Sequence, residues 1–320
     1  MWIINSIIKF LINGGKVVMS YADQVFVKMC EDVLSQDNME KCRAVWKDTN
    51  EQSSTVSKFA VVNRYDLRKE FPILTLRKTP IKSAIDEILW IYQKKSNNIH
   101  DLNSHVWDDW ADDNGSIGAA YGYQIGSKLR KATHEIHEGF ATANSFVESG
   151  IRVYNEFLDQ TDFVLHELKY NPFSRRIITN MLSIEDTHMM GLEPCAFMMN
   201  YKVTRDKESD KLILNAILYQ RSQDILAANA WNVVQYAALI HMFAQVSNMI
   251  AGEFVHVIAD CHIYDRHVNI VKELIKRPQY PAPKLIINPD ITDFYSFTPD
   301  DFKLENYQYG EPIKGIDVAV

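Results

Sequence analysis

The sequence predicts a single mixed α/β domain, and three observations lead there. A chain of 320 residues that is 47% hydrophobic can bury a sizeable core as one large unit. Stretches of strand character are interspersed with stretches whose apolar residues recur at helical spacing. No repeat with a period of about 20 to 50 residues is visible, and no Gly/Ser/Pro-rich linker divides the chain.

Taken in order, residues 56–63 (VSKFAVVN) have strand character. Residues 81–92 carry apolar side chains at 81, 84, 85, 88, 89 and 92, the spacing of one helix face. Residues 131–160 are more polar and read as a surface insertion. Residues 212–222 (LILNAILYQRS) predict a strand, and residues 233–251 a long, largely buried helix. Further strands are expected at 254–258 and 284–287. The domain is expected to span 19–320. The apolar run at 2–12 is broken by Asn5, Ser6 and Lys9, is too short to span a bilayer, and has neither a basic leader nor an A-x-A-like cleavage site. Residues 1–18 are therefore read as an upstream or disordered extension, with translation starting at Met19. Gly14-Gly15 can be encoded as a ribosome-binding sequence three codons before that methionine.

A formal net charge of −7 argues against broad electrostatic binding to nucleic acid or anionic membrane, so an anionic small substrate needs a local arginine cluster. The four cysteines form no CxxC pair and are too sparse for a disulfide framework, which points to a reducing, cytoplasmic home.

Three motifs fail. HEIHE at 134–138 places its second histidine three residues after the first, where a zinc-protease helix needs four. Asp260, Cys261 and His262 are adjacent, and neighbouring strand residues point to opposite faces. GSIGAAYG at 115–122 lacks GK[ST] and no helix is evident beginning there, so it is no phosphate loop. No metal is expected.

Other motifs are weak singly. Cys195 follows Pro194 in the apolar run LEPCAFMM, either as a small buried hydrophobe or as a nucleophile aimed by the rigid proline. YQRSQD at 219–224 sets Arg221 and Ser222 near a strand end, where a guanidinium fork and a hydroxyl suit a phosphate. NPFSRR adds Arg175 and Arg176 after a turn. Asn232 precedes an apolar helical run and reads as its N-cap. Glu87 lies at the edge of the 81–92 helical wheel, where burial would raise its pKa. Trp107 and Trp110 stand three apart in HVWDDW, and His262 and Tyr264 share a face in HIYDRH.

Their order along the chain changes the reading. Arg43, EILW at 87–90, HVWDDW, AYG at 120–122, NPFSRR, the Pro-Cys pair, YQRSxD, Asn232, GEFVH and DCHIY together resemble thymidylate synthase from about Tyr21 to Val320. The resemblance implies a mixed β-sheet flanked by helices, with a sheet face packed in a homodimer. It implies reductive methylation of dUMP to dTMP by 5,10-methylenetetrahydrofolate, which supplies both the one-carbon unit and a hydride and leaves as dihydrofolate. Cys195 would be the nucleophile at C6 of the uracil. Arg43, Gln220, Arg221 and Ser222 would bind the nucleotide, with Arg175 and Arg176 contributed by the second subunit; these arginines would favour the Cys195 thiolate. His262 and Tyr264 would hold the ribose. Glu87 would organise proton transfer, Tyr121 would assist removal of the C5 proton, and Asn232 would read the uracil edge. Trp107, Trp110, Asp224, Trp231 and the terminal Val320 would form the folate side.

Ala196 replaces the histidine of many members, Gln223 a cysteine or asparagine, and AANAWN at 227–232 a common LGxPFN. These departures read as a divergent branch with a reshaped folate-side wall. Competing readings are a pyrimidine-nucleotide hydroxymethylase and a nucleotide-binding homologue without turnover. Without the family context, a Cys-His hydrolase built on Cys195 and His262 is a further one.

Overall fold

The computed structural model describes residues 19–127 and 158–320. The extension 1–18, the HEIHE segment and all but the last residues of the 131–160 insertion lie outside the described residues. Helix α1 (Tyr21–Leu34) starts where the Ser20 hydroxyl accepts the Asp23 N–H. Asp23 is itself buried and accepts both the Thr75 N–H at 2.8 Å and the Thr75 hydroxyl, which ties α1 to the loop ahead of the next helix.

Strands β1 (Met39–Val45) and β2 (Gln52–Asp66) lead into α2 (Ile81–Leu89), which buries Ala84, Ile85, Ile88 and Leu89 as the spacing predicts. The last part of the expected 81–92 helix widens into a π-turn at Trp90–Lys94, ended by Lys95 in the left-handed region. After the one-turn α3 (Gly122–Ile125) come α4 (Gln160–Tyr170) and the short β3 (Ile178–Asn180), then β4 (Ala196–Arg205) and β5 (Leu212–Asp224). A second π-turn (Ile225–Asn229) runs directly into α5 (Ala230–Val246). The chain continues through β6 (Ile250–Tyr264), α6 (Val268–Leu274) and an antiparallel pair, β7 (Lys284–Ile287) with β8 (Phe302–Glu305).

The main sheet has the order β1-β2-β6-β5-β4-β3. All neighbours are antiparallel except β5 and β6, whose crossover is α5. One parallel pair in an antiparallel sheet makes this a mixed α+β fold, in agreement with the sequence reading. The predicted helix at 233–251 overruns the real one. Asn248 takes a φ of 55°, the chain turns, and Ile250 and Ala251 already belong to β6.

The two sheet faces differ. On one, the cross-strand row Asn63, His256, Leu218, Met199 and Thr179 is buried throughout, beneath the helices. α5 is buried on nearly every side, as befits a helix that is apolar all round. On the other face, the row Val62, Val257, Tyr219 and Met198 is apolar yet open, with Val62 52% exposed.

Candidate active site

The site forms where β4 begins and β5 and β6 end. Cys195 stands just ahead of β4, and its carbonyl accepts the Arg221 N–H at 2.9 Å. The Arg221 guanidinium reaches back to the carbonyls of Glu193 (Nη2, 2.6 Å) and Pro194 (Nε, 3.2 Å), so it clamps the turn that carries the thiol. On the other side the Cys195 N–H donates to the Tyr121 hydroxyl at 3.1 Å. Four main-chain groups thus fix the half-buried Cys195. Burial raises its pKa, the Arg221 charge lowers it in part, and Glu193 raises it, with a net upward direction. The thiolate expected from the arginines therefore does not follow from Arg221 alone.

Tyr121 has a φ of 45°, a strained value for a residue with a side chain. It caps the one-turn α3, a helix that begins at the last residue of the glycine-rich GSIGAAYG stretch and that the sequence did not reveal. The AYG motif has a steric cause as well. A Cβ at Gly122 would lie 2.0 Å from the Ser96 carbonyl oxygen. Trp107 meets the Tyr121 ring edge-on at 4.8 Å and the Trp110 ring at 5.8 Å, so the tryptophans expected to pair do so against the tyrosine.

Glu87 is 6% exposed on α2, and desolvation raises its pKa, the direction read from the helical wheel. The Trp231 indole N–H donates to its Oε2 at 2.7 Å. Gln235 and Trp107 also lower its pKa from nearby, without completing a hydrogen bond to it.

Asn232 does not cap α5. The π-turn feeds straight into the helix, so Asn232 falls inside the first turn, and its amide meets a set of glutamines instead. Gln220 donates through Nε2 to the Ser222 carbonyl and to Asn232 Oδ1, both at 3.2 Å. Gln223 donates likewise to the Asp224 carbonyl at 3.1 Å and to Asn232 Oδ1 at 3.4 Å. A carbonyl can only accept, so these two main-chain oxygens fix which end of each glutamine faces Asn232. Asn232 must then turn its oxygen to the glutamines and its Nδ2 to Gln235 Oε1, 3.1 Å away. Behind Gln220, buried His256 donates from Nε2 to Oε1; burial pushes its pKa down to about 3, which keeps the ring neutral.

A second group lies toward the C-terminus. Asp224 Oδ1 accepts the N–H groups of Leu226 (2.9 Å) and Ala227 (3.0 Å), closing the π-turn. Its Oδ2 lies 3.8 Å from Nδ1 of buried His267, an ion-pair distance rather than a hydrogen bond. His267 Nε2 donates to the Asp317 carbonyl of the tail at 2.9 Å. Tyr264 packs edge-on against His262 (5.2 Å), His267 and Trp46, and His262 Nδ1 pairs with Asp260 at 2.8 Å. The terminal Val320 exchanges two main-chain hydrogen bonds with Val45, so the tail lies along the end of β1.

Arg43 is exposed on β1 at this end of the sheet and has no ion-pair partner among the described residues. Arg175 and Arg176 are not brought to Cys195. They are exposed ahead of β3, whose neighbour Ile177 bonds Tyr201 well along β4. At about 3.3 Å per residue, that is roughly 20 Å along the strand from Cys195. Sequence reasoning assigned no role to Gln235, His256 or His267. Gln235 could have been found from its position three residues after Asn232 on a helix. His256 and His267 lay inside the quoted GEFVH and HIYDRH, with nothing local to mark them.

The thymidylate synthase family model matches residues 24–320. The chain belongs to the thymidylate synthase family. The thymidylate synthase of Bacillus subtilis subsp. natto is 38% identical over 319 residues, covering 99% of this chain and 97% of that protein. The thymidylate synthase of Bacillus phage phi3T matches to the same extent. Among solved structures, thermostable thymidylate synthase A from Bacillus subtilis aligns with a TM-score of 0.80 at 36% identity, covering 93% of this chain and 99% of that one. The thymidylate synthase fold expected from the motifs is thus the observed one. No described helix is long and apolar enough to cross a membrane, and no group of three or more metal-ligating side chains occurs among the described residues.

Proposed function

We propose that the protein converts dUMP and 5,10-methylenetetrahydrofolate to dTMP and dihydrofolate. The observation that carries this reading is that neighbouring residues of β5 serve both groups: Arg221 clamps Cys195 through the main chain, and Gln220, with Gln223, dictates the orientation of the Asn232 amide. Held in that sense, Asn232 can give its N–H to O4 of a uracil and take N3–H on its oxygen. Cytosine requires the reverse orientation, which would set the Asn232 NH2 against the NH2 groups of Gln220 and Gln223.

The Cys195 sulfur adds to C6 of the uracil, so that C5 becomes the nucleophile. The folate passes its one-carbon unit to C5. Loss of the C5 proton, assisted by Tyr121, breaks the bond from the one-carbon unit to the folate. Hydride from the folate then reduces the exocyclic methylene to methyl as the Cys195–C6 bond breaks, freeing the thiol, dTMP and dihydrofolate. Glu87, kept from water beside Trp231, Trp107 and Tyr121, suits movement of a proton at the pyrimidine edge. Arg43, Arg221 and Ser222 take the phosphate, while His262 and Tyr264 take the ribose. Trp107, Trp110, Trp231, Asp224 and the Val320 tail line the folate side. Trp107 fits that role with a buried indole N–H that has no hydrogen-bond partner among the described residues.

The active form is a homodimer joined through the open sheet face. Support comes from the apolar row on that face, with Val62 exposed and the others half-buried, and from the distance separating Arg175 and Arg176 from their own chain's Cys195. Arginines from the second copy add the positive charge that Cys195 needs, since Arg221 alone does not offset its burial. The four free thiols fit a cytoplasmic location.

The test incubates the protein with both substrates and identifies the nucleotide product by mass. dTMP supports the reading, and 5-hydroxymethyl-dUMP replaces it with the hydroxymethylase. A mixture of inactive Cys195→Ser and inactive Arg176→Ala proteins should regain activity after subunit exchange. Failure to regain it would refute sharing of arginines between subunits.

A further inference from the structure

We infer that Trp231 is a positioning residue for Glu87: its indole N–H holds the carboxylate in place for proton transfer, a role beyond that of an aromatic wall for the folate. This deepens the proposed function and rests on it. Glu87 is buried on α2, and Trp231 projects from the first turn of α5, the helix packed against α2. The two side chains meet at 2.7 Å although 144 residues separate them in sequence. Tryptophan nitrogen can only donate, so the bond exists only with an acceptor oxygen and is strongest when that oxygen is charged.

Trp231 stands in the AANAWN segment, and of the aromatic side chains that could wall the folate there, a phenylalanine could not make this bond. Asn232 follows it on the same turn and reaches Gln235, whose free amide NH2 lies on the Glu87 side. A change at Trp231 therefore reaches the proton-handling group without touching the Cys195 clamp. Two donors near one buried carboxylate, on the helix that also carries Asn232, tie the start of α5 to the proton chemistry.

The experiment compares kcat against pH for the parent, Trp231→Phe and Glu87→Gln proteins, with dUMP binding measured by calorimetry to show that each variant is folded. Removing a donor that stabilises the charged carboxylate should raise the kcat pKa by about one pH unit in Trp231→Phe, the size set by one hydrogen bond to a charged group. kcat at neutral pH should fall about tenfold, while dUMP affinity changes less than about twofold. An unchanged pH profile with a raised KM for methylenetetrahydrofolate would overturn the inference, leaving Trp231 as a wall and the proposed reaction intact. Should Glu87→Gln keep full turnover, the role of Glu87 itself fails, and the inference with it. Absence of dTMP from the parent protein would instead refute the proposed function.

Discussion

The two walls of the site are held by different means. On the nucleophile side, Cys195 is fixed by its own backbone: its N–H to Tyr121, its carbonyl to Arg221, and the two preceding carbonyls to the Arg221 guanidinium. On the α5 side, Glu87 and Asn232 are fixed by side chains alone, through Trp231, Gln220, Gln223 and Gln235. Backbone clamps tolerate change in the clamped residues, because every residue supplies the same C=O and every residue but proline the same N–H. Side-chain networks do not, since each member needs its partner's donor or acceptor. Gln223 and Trp231, two of the three departures from the family pattern, lie in the second wall.

Breaking the first wall should have the largest effect. Cys195→Ser removes the sulfur but leaves the Arg221 clamp, so turnover should fall at least about 10³-fold with dUMP affinity within about threefold of the parent. Turnover kinetics paired with calorimetry check this, and normal turnover would remove Cys195 as nucleophile. Breaking the second wall comes next: Glu87→Gln keeps the shape but cannot carry a proton, so kcat should drop about 10²-fold or more while KM for dUMP holds.

A milder change sharpens the contrast. Gln223→Ala deletes one of the two donors that orient Asn232, so the ratio of kcat/KM for dUMP over dCMP should fall about five- to tenfold, the value of one neutral hydrogen bond. An unchanged ratio would show that Gln220 alone sets the amide. The smallest effect is expected at the tail. Burial alone would lower the His267 pKa, but Asp224 and Asp317 reverse this and hold it above the ordinary value. Its charged form therefore adds stability that is complete below about pH 6.5 and is lost as pH rises through the raised folded value. Thermal melts should show His267→Asn roughly 2–4 °C less stable than the parent at pH 6, with the gap narrowing toward pH 9.

Much of this was legible in the sequence. The helical spacing at 81–92 located α2 and the burial of Glu87; the strands at 56–63 and 254–258 are the centres of β2 and β6, and 212–222 is all but the end of β5. The paired tryptophans and the His262–Tyr264 contact also follow from spacing. What stayed hidden depends on the tertiary fold. The helical reading of 233–251 ran too far because Ile250 and Ala251 are as apolar as the helix, and only the left-handed turn at Asn248 separates them. Asn232 looked like an N-cap because a π-turn has no sequence signature of its own. The bond between Trp231 and Glu87 joins elements far apart in the chain, and no local period encodes it.

The central claim is that Cys195 and the Glu87–Asn232 wall act on one pyrimidine ring. The most direct test follows tritium released from dUMP labelled at C5, with methylenetetrahydrofolate present, while dihydrofolate is recorded by its absorbance. One tritium released for each dihydrofolate formed is the predicted result. No folate-dependent release, or release without dihydrofolate, would contradict it.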